Sequence, residues 1–598
     1  MSKRKIWRNA ASCVASANRA IFAAFGAFAV WGTFVFFASF DVGTFAADGI
    51  AGKGKAETRA VAVVAGAGYD AVWTAAERVA KELKFAEAVE AARAIYGDVQ
   101  GVDRSKPFGL VVATDGRDVV PFAFLPIENV EKLEFVGASD LKAKIETTPK
   151  GTFFNGAGKR LRLLEEGGWL FVCEAGKEKS VATTDPTAWL GADETDALLS
   201  FDVDLTAIPQ ELFEAGFAAL RQKAAESAPV DDETALEQFD ATLDYYSATF
   251  EALERIRCEL SVDSATGDLV YRWTIDCKEG SALAETLAGA RDAETRWSAI
   301  AETPNAVFAA VEAGKRSAFD GEFLAKRQKL SFDNAKTALE IGLDDEDERA
   351  LAEELIAAVE KFVASSTDDG TFDAASAFAC SPVVFSSAFA PADGRELTAA
   401  ARKIFDKLKN DDPKNAEKIE KFVKLDAEKV EGFSVSKIDA PTTGLSEKAP
   451  EALAAYWSDK TFSVRLGTSS DAVLLVVGID PEEADAEFAR IAAASKTKVP
   501  APKRASLVVA PLGRWALDMI GESEDLTVAG RRTLERIAEA DDVRFDVEYA
   551  IDGNRLDARC VVKSGFFRLI GDVVRINLAA KLGSGGEGED VDDLFEEE

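Results

Sequence analysis

The chain contains no histidine. That absence removes Ser-His-Asp triads, Cys-His dyads, imidazole-ligated zinc and iron sites and histidine acid-base catalysis together, and with them most familiar enzyme mechanisms. Cysteine is scarce and scattered, six in 598 residues. Tight transition-metal sites need convergent thiolate or imidazole ligands, so none is expected. Tyrosine and tryptophan number 7 and 9 against 39 phenylalanines, which puts most aromatic area into side chains suited to cores and leaves few platforms for stacking sugars. Positive charge is in deficit too: 70 Lys and Arg against 104 Asp and Glu give −34 and a pI near 4.6. Such a field repels nucleic-acid phosphate and anionic lipid.

What is present begins with an export signal. Lys3, Arg4, Lys5, Arg8 and Arg19 precede an uncharged run from Ala20 to Phe40, and Thr44-Phe45-Ala46 offers small residues for cleavage before Ala47. About 20 apolar residues also suffice for an uncleaved anchor, the competing reading, which Gly26, Gly32, Thr33 and Asp41 weaken. Either way the positive-inside rule leaves the rest of the chain outside the cytoplasm, in the periplasm, the cell envelope or the medium. No later stretch is long and apolar enough to span a membrane.

The 47% hydrophobic content of the chain supports several buried cores, and its length suggests three or four units. One pattern recurs: strand, short polar turn, strand, amphipathic helix. It runs from Phe108 to Pro126 with a helix from Asn129, and from Ile256 to Cys277 with a helix from Ser281. It recurs from Phe372 to Phe389 with a helix from Gly394, from Thr461 to Ile479 with a helix from Pro481, and from Arg544 to Val562 with Phe566 to Ile570 behind it. Long helices separate the copies: Asp70 to Tyr96, Asp344 to Phe362, and one whose stripe is Leu236, Phe239, Leu243, Tyr246, Phe250 and Leu253. The fold class predicted is α+β, with repeated antiparallel strand-turn-strand-helix units and long amphipathic helices on the sheets. The domains drawn are a signal peptide at 1–46, α+β domains at 47–302, 303–440 and 441–582, and a flexible acidic tail at 583–598.

Cys13 falls in the targeting segment, leaving Cys173, Cys258, Cys277, Cys380 and Cys560. A hairpin turning near Thr266-Gly267 puts Cys258 opposite a residue near Trp273, so Cys258 and Cys277 meet only diagonally. Buried free thiols are expected there, with a disulfide as the alternative. An odd count leaves at least one thiol unpaired unless another chain contributes.

The Phe108 to Pro126 hairpin, the Gly167-Gly-Trp-Leu-Phe-Val strand, the Leu199-Ser-Phe-Asp-Val-Asp-Leu stretch before Ile208-Pro209 and the hairpin after Arg255 together resemble a family of large exported proteins of planctomycete bacteria. The resemblance implies export and an envelope location and contributes no site residues.

Motifs that mimic known chemistry fail on context. Gly66-Ala67-Gly68-Tyr69-Asp70-Ala71 follows a strand and opens a helix, as a dinucleotide turn does, but lacks an acid at the ribose-binding spacing. Gly49 to Ala56 has Ala56 where a P-loop needs Ser or Thr and precedes a strand where it should follow one. Ser434-Val-Ser-Lys437 has penicillin-binding spacing but alternates like a strand. Asp344 to Glu348 and the tail lack the alternating ligands and glycine of an EF-hand, so a solvated acidic face is the reading. No catalytic, cofactor-binding or metal residue is assigned and no cofactor is expected. The function predicted is an exported, non-enzymatic structural or binding protein of the periplasm or envelope, without nucleic-acid partners and without a membrane after cleavage. A carrier holding an apolar ligand between helices and sheet is the alternative, and a carboxylate-dependent hydrolase a further one.

Overall fold

Alternating apolar residues, polar turns and periodic helices fold into one antiparallel sheet that winds through the chain. The structure is a computed structural model describing residues 59–84, 101–114, 119–129, 144–156, 159–178, 181, 186, 197–227, 233–342, 346–365, 370–411, 413–442, 456–520 and 526–583. The signal and cleavage site, the Gly49 to Ala56 segment and the acidic tail lie outside the described residues.

In chain order the first elements are β1 (Arg59–Gly66), α1 (Tyr69–Glu82), β2 (Phe108–Thr114), β3 (Val119–Pro126), β4 (Lys144–Thr148), β5 (Gly151–Gly156), β6 (Lys159–Glu166), β7 (Trp169–Glu174) and β8 (Leu199–Asp204). Then come α2 (Gln210–Ser227), α3 (Glu233–Glu251), β9 (Leu253–Val262), β10 (Leu269–Cys277), α4 (Ala282–Arg291), β11 (Glu294–Thr295), α5 (Ser298–Ala301), β12 (Ala306–Lys315), α6 (Ala318–Gly342) and α7 (Glu346–Ser365). They are followed by β13 (Thr371–Cys380), β14 (Val383–Ala390), α8 (Arg395–Asp411), α9 (Pro413–Phe422), β15 (Val423–Val430), β16 (Phe433–Pro441), β17 (Thr461–Thr468), β18 (Val473–Gly478) and α10 (Pro481–Ala494). The chain closes with β19 (Val499–Pro500), β20 (Arg504–Val508), α11 (Ala510–Ile520), α12 (Val528–Glu539), β21 (Arg544–Asp552), β22 (Arg555–Val562) and α13 (Ser564–Gly583).

The α+β class is therefore realised. All five expected hairpins form: β2 with β3, β9 with β10, β13 with β14, β17 with β18 and β21 with β22. Leu253, assigned by its spacing to the stripe of α3, instead opens β9, because the helix ends at Glu251. Beyond the expectation, each hairpin gains a strand from upstream, giving β1-β2-β3, β8-β9-β10, β12-β13-β14, β16-β17-β18 and β20-β21-β22. Neighbouring triplets join first strand to first strand, as β1 to β8 and β12 to β20, or third to third, as β10 to β22 and β14 to β18. The pairings trace one antiparallel path of 20 strands, β4-β5-β6-β7-β3-β2-β1-β8-β9-β10-β22-β21-β20-β12-β13-β14-β18-β17-β16-β15. The last triplet of the sequence thus sits between the second and third, and β16, which ends at Pro441, runs on through pairing into β17.

Paired residues share a sheet face, so register sorts the two sides. Over β12 to β18 one face is a closed core: Val311, Ala377, Ala388 and Leu474 pack with Ile300 of α5 and with Phe488 and Ile491 of α10. In the centre that same side carries charge: Asp202 lies opposite Arg257, Thr274 donates to Asp557 at 2.8 Å, and Arg272, Arg559 and Glu548 run in one row. Among the described residues no helix is long and apolar enough to cross a membrane.

Candidate functional site

On the other face of the central strands the rows are apolar. Phe201, Cys258, Trp273, Ala558 and Tyr549 stand side by side across β8, β9, β10, β22 and β21. The next row carries Leu260, Tyr271, Cys560, Val547, Ala505 and Ala310. Ala558 apart, every one of these side chains keeps part of its surface accessible, neither sealed like the core nor fully exposed. Two helical layers explain why. At one end of the strands α4 lays Leu283 and Leu287 over Ile256, Ile275, Leu556 and Ile551. At the other end Phe566 of α13 meets Phe545 at 4.9 Å between ring centres, and Trp515 of α11 meets Phe378 at 6.4 Å. The α11, α12, α13 and α1 helices pack in series. The two rows lie between these layers, with Tyr549 touching the α4 cluster.

Polar groups in these rows are few. Tyr271 and Cys258 lie diagonally across β10 and β9, and burial pushes both above their usual pKa values. The five described cysteines are free thiols. Cys258 pairs with Trp273, the register derived from the turn, which keeps it diagonal to Cys277. Burial pushes the Cys277 thiol up to about 12.

At the β12 end of these rows stands a carboxylate. Glu312 faces the same side as Ala310 and Phe308 on a strand whose alternate residues are buried in the core. It is half-buried. Its side chain makes no hydrogen bond and no ion pair among the described residues. Burial raises its pKa, opposed by Arg316. Tyr549 is raised as well, by burial first and then by the charge of Glu312.

Arg316 lies four residues further on, just past the end of β12, with its guanidinium carbon 4.2 Å from the centre of the Phe372 ring. Desolvation lowers its pKa, while Glu312, Asp320 and Tyr245 act against that change. None of them forms a direct ion pair with it. Asp320 accepts three hydroxyls: Tyr245 at 3.1 Å, Ser317 at 2.9 Å and Thr286. Ser317 in turn accepts the Asp320 N–H at 3.2 Å, the reciprocal cap that starts α6. Tyr245, stacked on Phe323 with ring centres 3.9 Å apart, ties α3 to α6.

The motif mimics resolve differently. Gly66 ends β1 and Gly68 precedes α1, but the space a pyrophosphate would need is filled by the chain: a Cβ on Gly68 would fall 2.6 Å from the carbonyl of Ser105, and Asp70 N–H donates to Arg104 O at 3.2 Å. Ser434 to Lys437 lies in β16, where Lys437 pairs with Glu428 at 2.9 Å and Asp485 at 3.0 Å. Of the Asp344 to Glu348 run, the first two residues are outside the described residues and the others open α7. Among the described residues no group of three or more Cys, Asp or Glu is placed to hold a metal ion. Sequence reasoning missed Glu312 and Arg316, although an isolated acid inside Ala-Val-Phe-Ala-Ala-Val-Glu-Ala-Gly is a signal that can be read.

No family model matches the chain, and no curated protein does. Among solved structures, crystal form III of TP0453 aligns with a TM-score of 0.20 at 7% identity over 37% of this chain and 78% of that one. Crystal form I of TP0453 gives 0.18 at 9% identity over 36% and 75%. Likeness this slight carries no argument about fold or function.

Proposed function

We propose that the chain is an exported, non-enzymatic binding protein of the periplasm or envelope that holds an apolar ligand in the groove between its sheet and its helices. One observation carries the reading: two adjacent apolar rows, with Tyr271, Trp273 and Tyr549 among them, stay accessible on the side of the sheet where helices stand at both ends. Apolar concavities with a few placed polar groups are what small-molecule sites look like. The export part rests on the amino-terminal basic head and apolar run, and the resemblance to exported planctomycete proteins points the same way. We further read the strand, helical connection, hairpin and following helix as one unit used five times, its alternating joints producing the long sheet that the groove crosses.

Nile red, a neutral solvatochromic dye, tests the reading without presuming a head group. Saturable binding to one class of site, lost in Ala505→Trp while the urea transition is kept, supports it. Ala505 is half accessible on the floor, so a tryptophan there fills the groove with little burden on the core. Absence of saturable binding, or equal binding by the filled variant, refutes it.

A further inference from the structure

We propose that Arg272 and Arg559 form a binding site for a compact dianionic oxyanion, a free phosphate or the head of a phosphate monoester. The site lies on the opposite face of the sheet from the apolar rows and is independent of the ligand proposed for them. β10 and β22 pair residue by residue, and their register sets Arg272 directly against Arg559. Directly opposed side chains of an antiparallel pair stand about 4.5–5.5 Å apart at Cβ, and like charges there destabilise the sheet. Both arginines are exposed, and among the described residues neither makes a hydrogen bond or an ion pair. Arginines nearby on this face are matched with acids: Arg255 and Arg257 hold Asp202, Arg555 holds Asp557 at 3.0 Å, and Arg544 holds Asp546. The exception is a pair of cations set against one another, an unfavourable contact that a bound anion would turn into a favourable one.

The chemistry selects the ligand by geometry and by charge. Each guanidinium presents a planar fork of donors, and two forks from adjacent strands can converge on one tetrahedral group with oxygens on every side. A monoanion neutralises one cation and leaves the other, whereas a phosphate monoester, with a charge of about −1.5 to −2 at pH 7, answers both. Glu259 faces Arg272 from β9 and Glu548 faces Arg559 from β21, one on each outer side of the pair. These acids and the net charge of −34 repel anions that spread along the surface, so polyanions such as nucleic acid are excluded and a compact head is kept. Strand pairing on both sides of β10 and of β22 fixes the two backbones before the anion arrives.

The test is isothermal calorimetry on the full chain with inorganic phosphate, methyl phosphate and dimethyl phosphate, at one low ionic strength balanced with chloride. The two dianions should bind at one site, and the singly charged diester about tenfold or more weaker, the range of one charge-assisted pair. Equal affinity for phosphate and methyl phosphate marks an ester head as the ligand, and a preference for inorganic phosphate marks the free ion. Arg272→Gln and Arg559→Gln should each weaken the dianions about tenfold. In phosphate-free buffer both variants should keep or raise the urea midpoint of the wild type, because the like-charge contact is gone. Arg504→Gln removes the same charge two strands further along the row, beyond Glu548, and should leave the affinity unchanged. No binding of either dianion, equal binding of the diester, or equal losses in all three variants overturns the site. A urea midpoint lowered in both phosphate-free variants makes the pair a structural contact and overturns it too.

Discussion

Asp268 joins the β9-β10 turn to the start of α13, and its removal has a calculable effect. Its side chain is 9% exposed. One oxygen accepts the Ser564 N–H at 2.9 Å and the other the Lys563 ammonium at 2.9 Å. Ser564 is buried at the first position of α13, where a backbone donor has no partner within the helix. Asp268→Ala leaves that donor unsatisfied, at about 1–3 kcal/mol. The half-exposed Lys563 pair adds about 0–1 kcal/mol after solvent screening. A loss of about 1–4 kcal/mol in urea denaturation followed by tryptophan fluorescence is therefore expected. Asp268→Asn keeps an acceptor for Ser564 and should lose about 1 kcal/mol. The sign of the pH dependence follows from the pKa. Burial alone raises Asp268, but the Ser564 N–H and Lys563 outweigh it and hold the carboxyl below its usual range. Its stabilisation is present above the unfolded carboxyl pKa, near 4, and fades as pH falls through the lower folded value. The gap between wild type and Asp268→Asn should accordingly narrow in acid. An alanine variant within 0.5 kcal/mol of wild type, or an asparagine gap independent of pH, refutes the reasoning.

Tyr271→Cys should form a disulfide with native Cys560 under mild oxidation, since the two are directly paired; loss of two hydrogens in the intact mass reports it, and failure would dispute the β10-β22 register. Trp273→Asp should leave a cooperative urea transition, because Trp273 borders accessible space, whereas Val476→Asp, at a fully buried position, should abolish native expression. Arg465 is 1% exposed and reaches Asp439 at 2.7 Å and Asp485 at 2.5 Å. Lysine keeps the charge but cannot reproduce that fork, so Arg465→Lys should cost about 1–3 kcal/mol by equilibrium denaturation. Intact-mass measurement of native material should find a chain beginning at Ala47; retention of Met1 to Ala46 indicates an anchor instead.

Hairpins were legible because local chemistry dictates them. Thr266-Gly267, with Gly267 at a φ of 72°, and the Asp552-Gly-Asn turn mark their strands without reference to anything distant. Even there the sequence understated one residue. Asn554 follows the turn glycine, and its amide donates to Cys277 O while its carbonyl accepts from Cys277 N at 3.0 Å, tying two hairpins together. The joints between triplets were not legible, since β1 to β8 and β10 to β22 are contacts between distant segments that alternation alone cannot choose. The groove was hidden for a related reason. Alternation marks Trp273 and Tyr549 as apolar-facing, but only the positions of α4 and α13 determine that this face is left partly open. Glu312 passed unnoticed because β12 was not recognised, its alanine-rich run resembling a helix as much as a strand.

The claim at the centre of this account is that the Tyr549 to Trp273 row is a binding floor, and Trp273 can report on it directly. In protein labelled with 5-fluorotryptophan, the Trp273 resonance is assigned by its absence in Trp273→Phe, and Trp297, fully buried against the opposite face, serves as the internal control. Titration with Nile red should shift the Trp273 fluorine resonance saturably and leave that of Trp297 in place. A Trp273 resonance that stays fixed while the dye binds would place the ligand elsewhere and contradict the account.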